Sequence, residues 1–285
     1  MSYQHISVNP VPGALGAEVS NVNPEVLSPE TVSEIRQAFL QHHVLFFREL
    51  SLTPESQTAF GQQFGVLDDY PFVAPIEGFP KIIPVIKEAD EKANFGGGWH
   101  TDLIYTFKPP AATMLYALEV PQRGGDTLFA DGVLAFNALS QRMQALCESL
   151  SVRYSVKHVA RAIVERTDGQ KTGNRSMLST QNETVLNAEP VHPLVRTHPE
   201  SNEKCLYFSR GHTIQFEGMT PPESAPLLDW LQQHMTRIEF TTRFHWQPGS
   251  MAFWDNRCVS HYALNDYHGE RRAMHRLTIA GNKPY

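Results

Sequence analysis

Cysteine is scarce in this chain of 285 residues: Cys147, Cys205 and Cys258 stand far apart, odd in number and without a Cys-x-x-Cys pair. That excludes a disulfide-stapled scaffold, a zinc knuckle and a thioredoxin-like redox pair, and three buried reduced thiols are expected. Long apolar runs are lacking as well. Stretches such as Val44-Leu45-Phe46-Phe47 are far too short to cross a bilayer. The opening Met1-Ser2-Tyr3-Gln4-His5 has no basic segment leading into an apolar one, so no signal peptide is expected. Positive charge is in deficit, since 24 Lys and Arg face 30 Asp and Glu for a formal net charge of −6. A phosphate backbone is a poor partner for such a chain. There is no internal repeat and no low-complexity tract. The expectation is a cytoplasmic protein with no membrane and no nucleic-acid partner.

What is present is an ordinary globular composition, 41 % hydrophobic and 19 % charged, and no linker-like stretch divides it. One domain over residues 1–285 is therefore expected. Helix starts are written at Ser28-Pro29-Glu30, at Thr53-Pro54-Glu55 and at Thr220-Pro221-Pro222-Glu223, each a capping residue followed by proline. Another helix is expected from about Leu139 to Leu150. Strands are predicted at His43 to Phe47, Thr113 to Leu118, Met251 to Trp254 and Leu277 to Gly281. The most regular alternation runs from Ile238 to Trp246, apolar at every second position. Short strands between Gly/Pro turns, with helices early and inserted, predict a mainly β core of sandwich or barrel type with flanking helices. A polar stretch at about 160–188 reads as an active-site cover or a surface loop.

The chemistry-bearing segment is Gly97-Gly98-Trp99-His100-Thr101-Asp102. On an extended strand residues two apart share a side, so His100 and Asp102 can reach one ion. An imidazole and a carboxylate, joined by one further histidine, make the facial triad of non-haem Fe(II) oxygenases, which leaves positions open for co-substrate and O₂. Taken alone, His-x-Asp is a weak signal and fits an ordinary exposed pair better. The C-terminal block from Phe253-Trp254-Asp255-Asn256-Arg257 through His261 to Arg271-Arg272-Ala273-Met274-His275-Arg276 adds a third histidine. It also adds two arginines, Arg272 and Arg276, that share a strand face. Arginine presents a fork suited to a carboxylate, whereas Arg271 reads as a surface charge.

From about residue 8 to the end, the chain resembles the taurine dioxygenase and 2,4-dichlorophenoxyacetate dioxygenase family. The landmarks occur in the family's order: Trp99-His100-Thr101-Asp102, Pro109-Pro110-Ala111, Gly124-Gly125-Asp126-Thr127, Val191-His192-Pro193-Leu194-Val195, Thr197-His198-Pro199, Trp254-Asp255-Asn256-Arg257 and the His261-to-Arg276 block. The resemblance implies a double-stranded β-helix (jelly-roll) core and a homodimer or homotetramer. It implies Fe(II) bound by His100, Asp102 and His261, and 2-oxoglutarate and O₂ as co-substrates. Thr127 and Arg272 would hold the distal carboxylate of 2-oxoglutarate, and Arg276 would lie near the substrate anion and the iron-side carboxylate. The implied reaction is hydroxylation of a small anionic molecule with release of succinate and CO₂. When the hydroxylated carbon bears a heteroatom group, cleavage of the product follows. The carboxylate at Asp102 argues against a halogenase.

The substrate side departs from the taurine pattern. Tyr70 and Val73 stand where the taurine enzymes carry a His and a Tyr, and Phe95-Gly96-Gly97-Gly98 replaces their Asn region. Tyr70, Phe72 and Tyr105 suit a larger or more apolar body than taurine, with Arg276 and the backbone N–H of Leu103 as anion donors. A sulfonate, a sulfate ester and an aryloxyalkanoate all remain open. So do desaturation on the same scaffold, a non-enzymatic cupin-like metal-binding protein and a zinc hydrolase. His192, His198 and His275 are expected to be structural, and His42 and His43 to end a helix. Trp254 reads as pocket wall or core, and Asp126 as a turn residue holding the Gly124-Gly125 loop.

Overall fold

The computed structural model describes residues 3–157 and 182–285. The cover expected at about 160–188 therefore lies mostly outside the described residues. In chain order the first strands are β1 (Ser7–Pro10), β2 (Ala17–Ser20), β3 (Val44–Phe47), β4 (Ile83–Lys87), β5 (Ala112–Glu119), β6 (Thr127–Asp131) and β7 (Ser151–Tyr154). They are followed by β8 (Val191–Pro193), β9 (Val195–Thr197), β10 (Lys204–Leu206), β11 (Thr213–Phe216), β12 (Thr241–Phe244), β13 (Met251–Asp255), β14 (Val259–Ala263) and β15 (Arg272–Ile279). The helices are α1 (Pro29–His42), α2 (Pro54–Gln62), α3 (Gly132–Asn137), α4 (Gln141–Glu148), the single turn α5 (Glu183–Leu186) and α6 (Pro221–Met235).

A seven-stranded sheet runs β1-β2-β3-β13-β5-β15-β4, antiparallel except where β2 meets β3. Two three-stranded antiparallel sheets run β12-β6-β14 and β11-β7-β8, and a two-stranded one runs β10-β9. Side-chain alternation divides the core. On β13, Ala252 and Trp254 enter one apolar cluster while Met251 and Phe253 enter the other. On β5, Leu115 and Ala117 take the first side, and Met114 and Tyr116 the second. The second cluster is roofed by Ile35, Ala38 and Phe39 of α1 and Phe60 of α2, and the Phe39 ring stacks on Phe253 at 4.1 Å. The first lies between the seven-stranded sheet and β12-β6-β14, where Phe46 of β3 stacks on Phe244 of β12 at 4.1 Å.

The same parity decides which polar residues face inward. Thr113 shares the Leu115 side of β5, and Arg272 and Arg276 share the Met274 side of β15. From the facing sheet, Thr127 shares the Phe129 side of β6. His261 is the direct partner of Phe129 and points the same way. The space between the sheets is thus apolar in bulk and charged at one end.

Local sequence accounts for most elements. Ser28 Oγ accepts from the Thr31 N–H at 3.2 Å to start α1, and His43 ends it at φ 61. The helix ends at His42 and His43 stand as expected. Thr220 donates its N–H to Glu223 Oε2 at 2.8 Å at the head of α6. The three cysteines are free and buried.

Three expectations need correction. The alternation from Ile238 to Trp246 is a strand only over Thr241–Phe244, and Ile238–Phe240 is a 3-10 turn. Its partner β6 gives way to α3 after Asp131, so nothing remains for Ile238 to pair with, and that side chain is exposed. The helix near Leu139–Leu150 is shorter, Gln141–Glu148, capped by Ser140. α3 was not anticipated; Asp131 Oδ1 caps it by accepting from Val133 and Leu134 N–H at 2.8 and 3.1 Å. Finally, the last strand begins at Arg272, well before Leu277, because its arginines are buried rather than solvated.

A buried ionic group ties α1, β6 and β13 together behind the inner cluster. Asp255 accepts from His198 Nε2 at 3.0 Å and from Arg257 Nε at 2.7 Å. His43 Nδ1 lies 3.1 Å from Asp131 Oδ2, and its Nε2 lies 3.6 Å from Glu203 Oε2. Burial by itself would depress the His43 imidazolium, but Asp131, Asp255 and Glu203 outweigh it and push it up to about 9. The neighbouring His42 is held lower, by burial and by the charge on His43. A group raised on folding stabilises fully below its ordinary value of 6.5 and loses that contribution as pH climbs through about 9. Denaturant titrations should show stability falling across this window by up to about 3 kcal/mol. His43→Gln should flatten the decline; an unchanged slope in the variant would show that another group is responsible.

Candidate active site

His100 and His261 meet through their backbones. They form an isolated antiparallel bridge, His100 N–H donating to His261 C=O at 2.9 Å and His261 N–H to His100 C=O at 2.8 Å. Opposed residues of such a pair point the same way, and the two rings are 4.1 Å apart. His100 Nδ1 donates to the Gly98 carbonyl at 2.8 Å, which leaves the Nε2 lone pair available.

Asp102 does not continue the strand, contrary to the extended geometry expected for His100-Thr101-Asp102. It opens a turn over residues 102–105, and the next residue, Leu103, takes φ 46. The carboxylate nonetheless arrives at the same point: Asp102 Oδ1 is 3.7 Å from His100 Nε2 and 3.7 Å from His261 Nε2. One ligand atom from each of the three residues lies within 4.8 Å of the others. Asp102 Oδ2 is taken up separately. It accepts from Thr113 Oγ1 at 2.8 Å and lies 2.8 Å from Arg276 Nη2. Thr113 is held in turn by Asn256 Nδ2 at 2.8 Å, and Asn256 Oδ1 accepts from Trp254 Nε1 at 2.9 Å. One carboxylate oxygen is thus fixed by a chain of donors while the other faces the imidazoles.

The charges are set for this. Burial would raise the Asp102 carboxyl, but Arg276, His261, His100 and the Thr113 hydrogen bond hold it well below the ordinary carboxylate range. Burial, reinforced by His100 and Arg276, pushes His261 well below its usual value, and burial also lowers His100. Two neutral imidazoles and one carboxylate on one face are a donor set for a small divalent cation.

Beyond the triad lie the arginines. Arg272 is 5 % exposed, yet Nε and Nη2 have no hydrogen-bond partner. Its Cζ is 5.6 Å from the Trp246 ring, and Trp246 Nε1 donates to Thr127 Oγ1 at 3.0 Å. Arg276, 4 % exposed, has an unpartnered Nε and lies 5.0 Å from the Tyr70 ring. Around it stand Phe95 at 6.0 Å and Phe72 at 6.4 Å from Tyr70, and Tyr105 at 6.1 Å from Phe72. His212 closes this wall at 4.9 Å from Tyr105. Burial pushes the Tyr70 phenol up to about 12, and burial also raises Tyr105 well above its ordinary value. Of the residues expected at the site, His100, Asp102 and His261 come together, Arg276 joins them through Asp102 and reaches Tyr70, Tyr105 lies in the same aromatic group, and Thr127 and Arg272 meet on Trp246.

Thr113, Asn256, Phe95 and His212 were not foreseen. Thr113 sits in a plain β-strand with no local signal, and Asn256 stood among the landmarks without a role. Trp254 is both core and wall, 1 % exposed with its ring 4.7 Å from His261. Asp126 does not hold the glycine loop, since Asp266 Oδ1 accepts the Gly125 N–H at 2.7 Å. Asp126 instead receives Arg243 Nε at 2.6 Å and His245 Nδ1 at 2.8 Å. His192 is structural, its Nε2 donating to the Thr106 carbonyl at 2.9 Å. Arg271 is a surface charge paired with Glu88 and Glu119.

Residues 7–278 match the family described as taurine catabolism dioxygenase TauD, TfdA family. The chain belongs to this family. Among its TauD/TfdA relatives is an alpha-ketoglutarate-dependent sulfate ester dioxygenase of Pseudomonas putida, 33 % identical across 98 % of this chain and 91 % of the relative. An alpha-ketoglutarate-dependent 2,4-dichlorophenoxyacetate dioxygenase of Cupriavidus pinatubonensis is 31 % identical, over 96 % of this chain and 97 % of the relative. A solved TauD/TfdA structure, a taurine dioxygenase from Burkholderia xenovorans, superposes with a TM-score of 0.80 at 34 % identity, covering 99 % of this chain and 91 % of the other. No helix among the described residues is long and apolar enough to cross a membrane.

Thr113→Val removes the donor that fixes Asp102 Oδ2 while keeping the side-chain volume. Loss of such a supporting hydrogen bond should weaken divalent-ion affinity about 10- to 100-fold. Anaerobic titration with Co(II), followed by its visible absorption, measures this, and unchanged affinity would show that Arg276 alone orients the carboxylate.

Proposed function

We propose that this chain is an Fe(II)- and 2-oxoglutarate-dependent dioxygenase that hydroxylates a small organic anion, with a sulfate ester the favoured class. The observation that carries the reading is the grouping of His100, Asp102 and His261 beside two buried, under-partnered arginines. The donor set fits the metal: two imidazole nitrogens, one carboxylate oxygen and a second oxygen already engaged elsewhere. Arg272 and Thr127 fit a carboxylate at the far end of a dicarboxylate co-substrate, as expected from the family likeness. A hydrolase would not require that clamp. A double-stranded β-helix is the core this reading assigns to the facing sheets, and a homodimer or homotetramer is the assembly the family favours.

Once bound there, Fe(II) with 2-oxoglutarate and O₂ supplies oxidation of a C–H bond to C–OH, with succinate and CO₂ as the other products. The residues of the chain supply position. His100 and His261 offer Nε2, with His100 fixed by its Nδ1 hydrogen bond to Gly98. Asp102 offers Oδ1 because Thr113 and Arg276 take Oδ2. Arg276 keeps free donor capacity toward the cavity, where a sulfate, sulfonate or carboxylate group would find a bidentate fork. Leu103, held at φ 46 beside Asp102, turns the backbone at the same place. Tyr70, Phe72, Phe95 and Tyr105 enclose apolar body and exclude water from the reacting carbon.

The sulfate ester class is favoured by this aromatic enclosure, larger than taurine needs, and by the named activity of the Pseudomonas putida relative. Hydroxylation of the carbon bearing the ester oxygen gives an unstable product that collapses to an aldehyde and free sulfate.

Anaerobically purified protein given Fe(II), ascorbate, 2-oxoglutarate and then O₂ should form succinate with medium-chain alkyl sulfates, in step with aldehyde and sulfate. Sulfonates and aryloxyalkanoates complete the panel. His100→Ala should reduce succinate to background. Turnover with an aryloxyalkanoate and none with sulfate esters would move the substrate assignment, and failure to bind both Fe(II) and 2-oxoglutarate would remove the reading altogether.

A further inference from the structure

Lys87 ends β4 and is 2 % exposed, yet its Nζ has no hydrogen-bond partner. Strand register explains where it points. Lys87 is the direct antiparallel partner of Arg272, so the two Cβ atoms leave the sheet on the same side, about 5 Å apart. That side faces the inner cluster, because Val85 and Met274, two residues along on each strand, both belong to it. Lys87 Nζ lies 4.4 Å from the centre of the Tyr267 ring, a cation–π contact. The same phenol and Arg272 are close enough for each to influence the other's charge. With Trp246 against Arg272 and hydrogen-bonded to Thr127, the residues Thr127, Trp246, Arg272, Tyr267 and Lys87 form one continuous wall.

Two cations directly opposed on a β-ladder destabilise it. Buried charged donors without acceptors add a larger cost. The nearby acids have other engagements: Asp126 receives Arg243 and His245, and Glu91 Oε2 accepts the Glu88 N–H at 2.8 Å. An anion seated against both side chains would offset repulsion and desolvation together. We infer that Lys87 is a second cation of the subsite for the distal carboxylate of 2-oxoglutarate, acting beside Arg272 and Thr127. This rests on the co-substrate reading above and adds a residue to it. Lys87 thereby contributes to selecting a dicarboxylate over a keto acid that lacks the second carboxylate.

Calorimetric titration of the full chain, loaded anaerobically with Co(II), tests this with two ligands: 2-oxoglutarate and 2-oxobutanoate, which lacks the distal carboxylate. Lys87→Met should weaken 2-oxoglutarate by about 10- to 100-fold, the loss of one charge-assisted contact. It should leave 2-oxobutanoate unchanged. Lys87→Arg should retain most of the dicarboxylate affinity. The melting temperature of the unliganded Met variant should hold or rise, because a repulsion is removed; a merely structural lysine would lower it. Should the Met variant not fold, Lys87→Gln, which keeps a donor without the charge, carries the same expectation. Wild-type affinity in these variants, or an equal loss for both ligands, overturns the role of Lys87. No saturable binding of 2-oxoglutarate to the wild type overturns the co-substrate reading as well.

Discussion

Asp102 is 3 % exposed, and burial alone would remove its charge. It stays ionised because Thr113, Arg276 and the two histidines converge on it from different parts of the chain. Its two oxygens do different work, one anchored by donors and one turned toward His100 and His261. Most of the site follows from that division. Arg276 is drawn to the Asp102 carboxylate, and Thr113 is recruited from β5 as a strut. Asn256 and Trp254 then fix Thr113 and bring the β13–β14 turn against the same point.

The remaining charges are arranged with far less internal compensation. Arg272 and Arg276, with Lys87 alongside, project from adjoining strands into a space otherwise filled by Phe, Trp and Leu side chains. A protein interior does not hold such donors without acceptors cheaply. Other buried ions are satisfied closely, Asp255 by His198 and Arg257, and His43 by Asp131. The contrast separates ion pairs that brace the fold from cations kept under-partnered, of which Lys87, Arg272 and Arg276 share one side of β4 and β15.

Several elements were legible because their cause is local. A capping side chain and a proline start α1, α2 and α6 wherever the rest of the chain goes. The inward direction of Arg272 and Arg276 follows from a spacing of four along a strand. Where the cause was a partner strand, sequence reading failed. Ile238–Phe240 alternates like a strand but has no neighbour to pair with, because β6 turns into α3. Asp102 was placed on an extended segment, and the left-handed Leu103 turns it off.

By itself the sequence determined the chemical inventory: two histidines and an aspartate able to share an ion, a pair of arginines for carboxylates, aromatic residues for an apolar body, and the family to which these belong. Residue type and order carry that information, since ligand chemistry and strand parity are properties of the chain itself. Only the tertiary structure decided which oxygen of Asp102 is free, that Thr113 and Asn256 stand behind it, and that Lys87 lies opposite Arg272. Those are contacts between residues remote in the chain, set by strand register, and register is fixed by how two apolar faces close on each other rather than by any short stretch of sequence.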